Sequence, residues 1–221
     1  MKKVLIISTT THKNNSTSKI VLNLIENQIS EKHEVKFIDA NELHIVKNLS
    51  CYSDGMMNCA SLKAGRYRCW AHKLSHDNPS EYGGKDEMGE IYEALLWCDV
   101  VVWGTSVRWG SHSSLMQKLI ERMTNFENRK ASMQEINPLE GKGVGVVVTG
   151  HNYESNSVAN HLLSQFSWFG FKCDQGCSFT WQKSQDVHSE QIGNNNSEIV
   201  EYLLSQEGIQ HISSFLDHLK L

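Results

Sequence analysis

The chain has 221 residues, a formal net charge of −4 and six cysteines scattered without a regular framework. That length makes one sizeable core the natural expectation, a single domain over residues 1–221, and the slightly acidic balance argues against a general nucleic-acid binder, whose footprint is basic. No apolar run reaches the length of a membrane span, and Lys2 and Lys3 lead straight into a strand pattern rather than a signal peptide, so a soluble cytoplasmic protein with reduced thiols is expected.

In chain order, strand and helix patterns alternate. Val4 to Ile7 is a short continuous apolar run, which suits a strand covered on both faces. A loop rich in hydroxyls and amides, Ser8 to Ser18, precedes a helix pattern carrying Val21, Leu24, Ile25 and Ile29, with Ser16 or Thr17 placed to cap it. Glu34 to Ala40 reads as a second strand. After a long interruption, Met88, Ile91, Tyr92, Leu95 and Leu96 recur at helical spacing, and Asp99 opens the strand DVVVWGTS. Leu115 to Met123 marks the next helix, Gly143 to Gly150 a fourth strand, and Val158 to Phe169 another helix. A fifth strand is expected near Phe171 to Trp181 and a final helix over about Glu198 to Leu219. Repeated βα units of this kind imply an α/β three-layer sandwich, and five parallel strands favour the flavodoxin-like order 2-1-3-4-5.

In such a sheet ligands bind at the carboxyl ends of the strands, where the winding reverses. Three loops converge there: Ser8 to Ser18, Gly104 to Ser114, and Thr149 to Ser157. The first ends at a helix N-terminus, where unpaired N–H groups and the helix dipole favour an anion. It contains no glycine, so neither the lysine-bearing phosphate loop nor the three-glycine dinucleotide fingerprint applies. Side-chain hydroxyls suit a monophosphate. The plain reading, a solvated turn before a capped helix, accounts for this stretch alone but not for three such loops together.

The combination of STTTHKNNSTSK, GTSVRWGSHSSLMQKLIER and VTGHNYES resembles the NAD(P)H-dependent FMN reductase family of flavodoxin-like oxidoreductases, over roughly residues 2 to 170. The resemblance implies FMN as cofactor and NAD(P)H as co-substrate, with hydride passing to the flavin and on to a quinone, a flavin or another small electron acceptor. It places the FMN phosphate on Thr10, His12, Ser16, Thr17 and Ser18, and the isoalloxazine ring along Thr105, Ser106, Val107, Arg108, Trp109 and Gly110. The other ring edge falls to Thr149, Gly150, His151 and Tyr153. The flavin carries the chemistry, with Arg108 or His151 as assistants, and relatives imply a homodimer or homotetramer. Relatives commonly have proline and an aromatic residue where this chain has Ser106 and Arg108, and arginine where it has His12. Two readings from other classes stay open: a flavodoxin-type electron carrier with no nicotinamide substrate, and a flavin-free scaffold on the same fold.

The interruption at about 41–85 is far longer than an ordinary βα connection and suits a substrate cover or a subunit contact. It holds Cys51, Cys59, Cys69 and His72. Their wide spacing, with no Cys-x-x-Cys pair, favours plain thiols over a metal site or redox-active cysteines. Cys98 reads as a core thiol.

Overall fold

A computed structural model describes residues 1–11, 16–51, 69–150, 154–183 and 196–221. Strands β1 (Lys3–Ser8), β2 (Glu34–Asp39), β3 (Val100–Ser106), β4 (Gly143–Gly150) and β5 (Ser178–Gln182) form one sheet in the order β2-β1-β3-β4-β5, all pairs parallel. This is the expected flavodoxin-like order. The three central strands are buried along nearly their whole length, as continuous apolar runs predict, whereas β2 alternates exposed and covered residues as an edge strand does.

Helices α1 (Thr17–Ile29), α2 (Trp70–Asp77), α3 (Met88–Trp97), α4 (Ser114–Met133), α5 (Ser155–Trp168), α6 (Ser197–Leu204) and α7 (Gln206–Leu219) surround the sheet. Neighbouring strand residues point to opposite faces. Trp103 stacks on Phe166 of α5, ring centroids 5.4 Å apart, while a Cβ added at Gly104 would lie 2.4 Å from Leu22 of α1. Thus α5 covers one face and α1 the other. Helix α7 shares the α1 face, since Phe215 and Leu219 pack where a Gly145 side chain would be. Helix α4 lies beside α5, and the Tyr92 and Phe126 rings join α3 to α4 edge to face.

Three expectations need adjustment. The single final helix is two, because Ser205 breaks the run and caps α7, its hydroxyl accepting from Gly208 N–H at 3.1 Å. The fifth strand is confined to Ser178–Gln182, preceded by a lone bridge between Lys172 and Gly143. The interruption carries a helix of its own, α2, which short amphipathic stretches signal poorly.

Both ends of the interruption are fastened to α4. Arg122, which is 2% exposed, donates from Nη1 and Nη2 to the two carboxylate oxygens of Asp86 at 2.9 and 2.7 Å, and from Nη1 to Val46 O at 2.6 Å. Its Nε donates to Cys69 Sγ at 3.2 Å, and Lys118 Nζ donates to Ile45 O at 3.1 Å. Burial alone would raise the Asp86 carboxyl, but its hydrogen bonds with Arg122 and then His72 hold it well below the usual carboxylate range.

Candidate functional site

Register aligns the strand ends. Ser8 pairs with Gly104, Ser106 with Thr149, and Gly150 with Gln182, so the loops after β1, β3 and β4 leave one edge of the sheet. Thr9 extends the β1–β3 ladder, its N–H and its hydroxyl both donating to Gly104 O at 2.8 Å. The Ser113 hydroxyl ties the first two loops together: it donates to Thr9 O at 2.7 Å and accepts from Met116 N–H at 3.1 Å, capping α4. Ser113 N–H donates to Thr105 Oγ1 at 3.1 Å.

At the start of α1, Ser16 stands at the cap position but makes no side-chain cap bond. Its hydroxyl instead donates to Thr10 Oγ1 at 3.0 Å and lies 3.0 Å from Ser18 Oγ. All three residues are buried, and the first turn of α1 has no acidic residue. The helix end therefore keeps its positive dipole and gains a neutral hydroxyl cluster. Thr17 is not part of that cluster, since its hydroxyl donates to Asn196 Oδ1 at 3.2 Å. Lys19 is engaged by Asp39 at 2.6 Å. His12 lies outside the described residues.

The loop after β3 first continues the sheet, with Val107 N–H donating to Thr149 O at 2.8 Å. It then reverses in a two-residue turn: Arg108 N–H donates to Ser111 O at 2.7 Å, and Ser111 N–H to Arg108 O at 3.0 Å. The turn residues Trp109 and Gly110 have φ of +50° and +75°, the left-handed pair that tight hairpins require. Glycine adopts this freely, whereas tryptophan does so at a cost of about 1 kcal/mol or more. Trp109 is 94% exposed, its indole presented at the rim of the strand-end face. Arg108 forms no ion pair among the described residues, its guanidinium donating only to Val107 O at 3.3 Å. The hydroxyls of Ser8 and Ser106 are buried and have no hydrogen-bond partner among the described residues. His112 is buried beside His161, and desolvation lowers its pKa.

At the third strand end Thr149 and Gly150 are buried, while His151 and Tyr153 lie outside the described residues. Beside them Lys183 N–H donates to Gly150 O at 2.9 Å. The structure thus brings together Thr10, Ser16, Ser18, Thr105, Ser106, Val107, Thr149 and Gly150, with Arg108, Trp109 and Gly110 on the turn above. Two residues that brace these strand ends were not singled out from sequence. Ser113 had a usable signal, a serine just ahead of the apolar pattern of α4, whereas Lys183 had none.

A family model described as NADPH-dependent FMN reductase matches residues 2–186. The chain belongs to that family. No curated protein matches by sequence. Among solved structures, RosB holding an 8-demethyl-8-formylriboflavin-5'-phosphate intermediate superposes with a TM-score of 0.63 at 15% identity, over 98% of this chain and 81% of that one. An azoreductase from Bacillus anthracis gives 0.58 at 11% identity over the whole of both chains, covering 100% of each. An NADH:FMN oxidoreductase called EMOB, in its apo form, gives 0.53 at 14% identity, over 96% of this chain and 94% of that one. These likenesses speak to the fold, and the family match assigns the chain to FMN-dependent oxidoreductases.

FMN fits this family member's site on the structure's own terms. An uncapped helix end beside three buried hydroxyls suits a phosphate, and the buried Ser106 hydroxyl, without a partner among the described residues, stands at the end of β3 on the same sheet edge. The cysteines of the interruption are arranged otherwise. Cys69 is bound to Arg122, His72 Nδ1 lies 3.4 Å from Asp86, and among the described residues no group of three His, Cys, Asp or Glu could hold a metal. Cys59 lies outside them. Cys98 is fully buried, and burial pushes its thiol up to about 12.

Proposed function

We propose that the protein is an FMN-dependent NAD(P)H oxidoreductase acting on a quinone, a flavin or another small acceptor. The observation that carries this is the coincidence, on one sheet edge, of the uncapped α1 terminus with its Thr10–Ser16–Ser18 cluster and the rigid Arg108–Ser111 turn. When bound, FMN supplies the redox chemistry, taking a hydride from NAD(P)H and passing electrons to the acceptor.

The chain's own residues bind and orient. The α1 N–H groups and the hydroxyls of Thr10, Ser16 and Ser18 would hold the phosphate, His12 is assigned to it by the family resemblance, and Thr17 steadies the helix end through Asn196. Thr105, Ser106, Val107 and Gly110 would lie along the ring. Trp109 provides an aromatic wall, and Arg108 a charge free to meet electron density on the ring. Thr149 and Gly150 would bound the far edge, to which the family resemblance also assigns His151 and Tyr153. The reading includes one domain over residues 1–221, a cytoplasmic location and a homodimer or homotetramer. Trp168, 84% exposed beside a groove of about 700 Å³ between α4 and α5, supports a contact between copies. No described helix is long and apolar enough to cross a membrane.

The test is the visible spectrum of the purified protein with FMN, followed by anaerobic NADH or NADPH. Bound flavin that bleaches with either nucleotide and recovers on adding a quinone is the expected result. Flavin that binds but stays oxidised favours the electron carrier instead, and absence of binding removes the flavin reading altogether.

A further inference from the structure

Lys183 follows β5 directly and is an unusual group for that place. Its side chain is only 8% exposed, yet its ammonium has a single carboxylate nearby, Glu198 Oε1 at 3.8 Å, and no hydrogen bond among the described residues. A buried cation ordinarily holds a close acceptor, because the water it has lost must be replaced. Lys183 holds a distant one.

Its surroundings show where a better acceptor would sit. Glu198 is in the first turn of α6, and two residues earlier Asn196 accepts the hydroxyl hydrogen bond of Thr17, the first residue of α1. The Lys183 backbone is bonded to Gly150, at the end of β4. The backbone of Lys183 is thus fixed at the β4 end, and its ammonium reaches toward the start of α6, the segment that is bonded to the first residue of α1. The hydroxyl cluster at the α1 terminus is neutral, and the nearest basic side chain on α1 itself, Lys19, is engaged by Asp39 at 2.6 Å. A phosphate monoester carries a charge near −2 at neutral pH, which hydroxyls and a helix dipole solvate but do not neutralise.

We propose that Lys183 is the counter-cation of the phosphate held at the α1 terminus, exchanging its loose contact with Glu198 for a charge-assisted hydrogen bond to a phosphate oxygen. This rests on the flavin reading and assigns that phosphate to FMN. A buried stem with a movable tip is suited to that exchange, because the methylenes pack against the fold while the ammonium swings between two anions. Glu198 is then the placeholder that keeps the cation paired before the cofactor arrives.

Riboflavin, which lacks the phosphate, makes the test specific. In fluorescence titrations Lys183→Met lowers FMN affinity about tenfold, the worth of one charge-assisted contact, and leaves riboflavin affinity unchanged; Lys183→Arg keeps most of the FMN affinity. Glu198→Gln tightens FMN about threefold by removing the competing carboxylate, and that gain disappears in the Lys183→Met background. Thr10→Val is run in parallel. If Thr10→Val weakens FMN while Lys183→Met and Glu198→Gln do not, the Lys183 assignment is overturned and the flavin site stands. If none of the variants changes FMN binding, the flavin site and the assignment fall together. A Lys183→Met protein that binds FMN normally but loses its preference for NADPH over NADH would move the contact to the nicotinamide cofactor's phosphate and so overturn the proposal. Should Lys183→Met not fold, the Glu198→Gln and Lys183→Arg arms decide.

Discussion

Two buried polar clusters flank the core, and they are built on opposite plans. The one that fastens the interruption to α4 is charged and saturated: all three guanidinium nitrogens of Arg122 donate, and both oxygens of Asp86 accept. The one at the strand ends is neutral and less complete, a cluster of hydroxyls at an uncapped helix with further hydroxyls, Ser8 and Ser106, that have no partner among the described residues. The first has nothing left to offer a ligand, while the second has been left incomplete at a cost the fold must cover elsewhere. Burial of polar groups therefore does not mark a site; unspent hydrogen-bonding capacity does.

The contrast is broken most severely at Arg122. Replacing it with Leu strands the Asp86 carboxylate, which is 1% exposed, and the expected loss is about 3–5 kcal/mol in denaturant unfolding. Pairing Arg122→Leu with Asp86→Leu recovers most of that loss, since both charges leave together. The carboxyl's folded-state pKa is depressed, so its stabilisation is full above the unfolded value of about 4 and is lost as acid carries the pH below that. If instead the single substitution costs less than about 1 kcal/mol, the interruption is not fastened as described.

The strand-end cluster answers to a different measurement. Gly104→Ala places a Cβ 2.4 Å from a Leu22 methyl and 2.9 Å from its Cγ, so Leu22 must repack or α1 must shift, at about 1–3 kcal/mol of stability in thermal unfolding. Because Ser16 and Ser18 of the cluster stand at the start of α1, FMN affinity falls where the helix moves. Ser16→Ala with Ser18→Ala removes hydroxyls that bond within the cluster while the helix cap goes without a side-chain bond, so stability changes by less than about 1 kcal/mol while FMN affinity drops about tenfold or more. Equal losses of stability and affinity would mean that these hydroxyls are structural like Arg122 and not reserved for a ligand.

Much of the strand-end cluster was legible in sequence, because loops at parallel strand ends are placed by topology and their hydroxyls announce themselves by type. The exception is Thr17, whose hydroxyl is taken by Asn196 from a segment 179 residues away. Such a partner leaves no local trace. The fastening cluster was not legible for the same reason: Asp86 and Arg122 stand 36 residues apart in a chain with many exposed carboxylates and cations, and only the closure of the interruption onto α4 distinguishes them. Ser205 shows the converse, a local signal overlooked, since a serine ahead of Gln206 and Glu207 caps α7 and divides what apolar spacing joins into one helix.

The smallest expected effect concerns His112, on the loop that joins the first two strand ends. Burial lowers its pKa; the bond from its ring Nδ1–H to Ser113 O opposes this, and His161, with ring centroids 6.5 Å apart, adds to the lowering. The unfolded chain therefore takes up a proton near pH 6.5 that the folded chain accepts only at lower pH. Stability from this residue is complete above that value and declines as the pH falls through the folded one, by less than about 1 kcal/mol. His211 is lowered by burial too, so the diagnostic is the difference between wild type and His112→Gln in unfolding free energy across pH 5 to 8. A shallower slope in the variant is expected. Because Ser113 couples this ring to Thr9 and α4, protonation is expected to weaken FMN binding over the same interval, whereas a pH effect on stability with none on FMN binding would separate the loop's folding from its site.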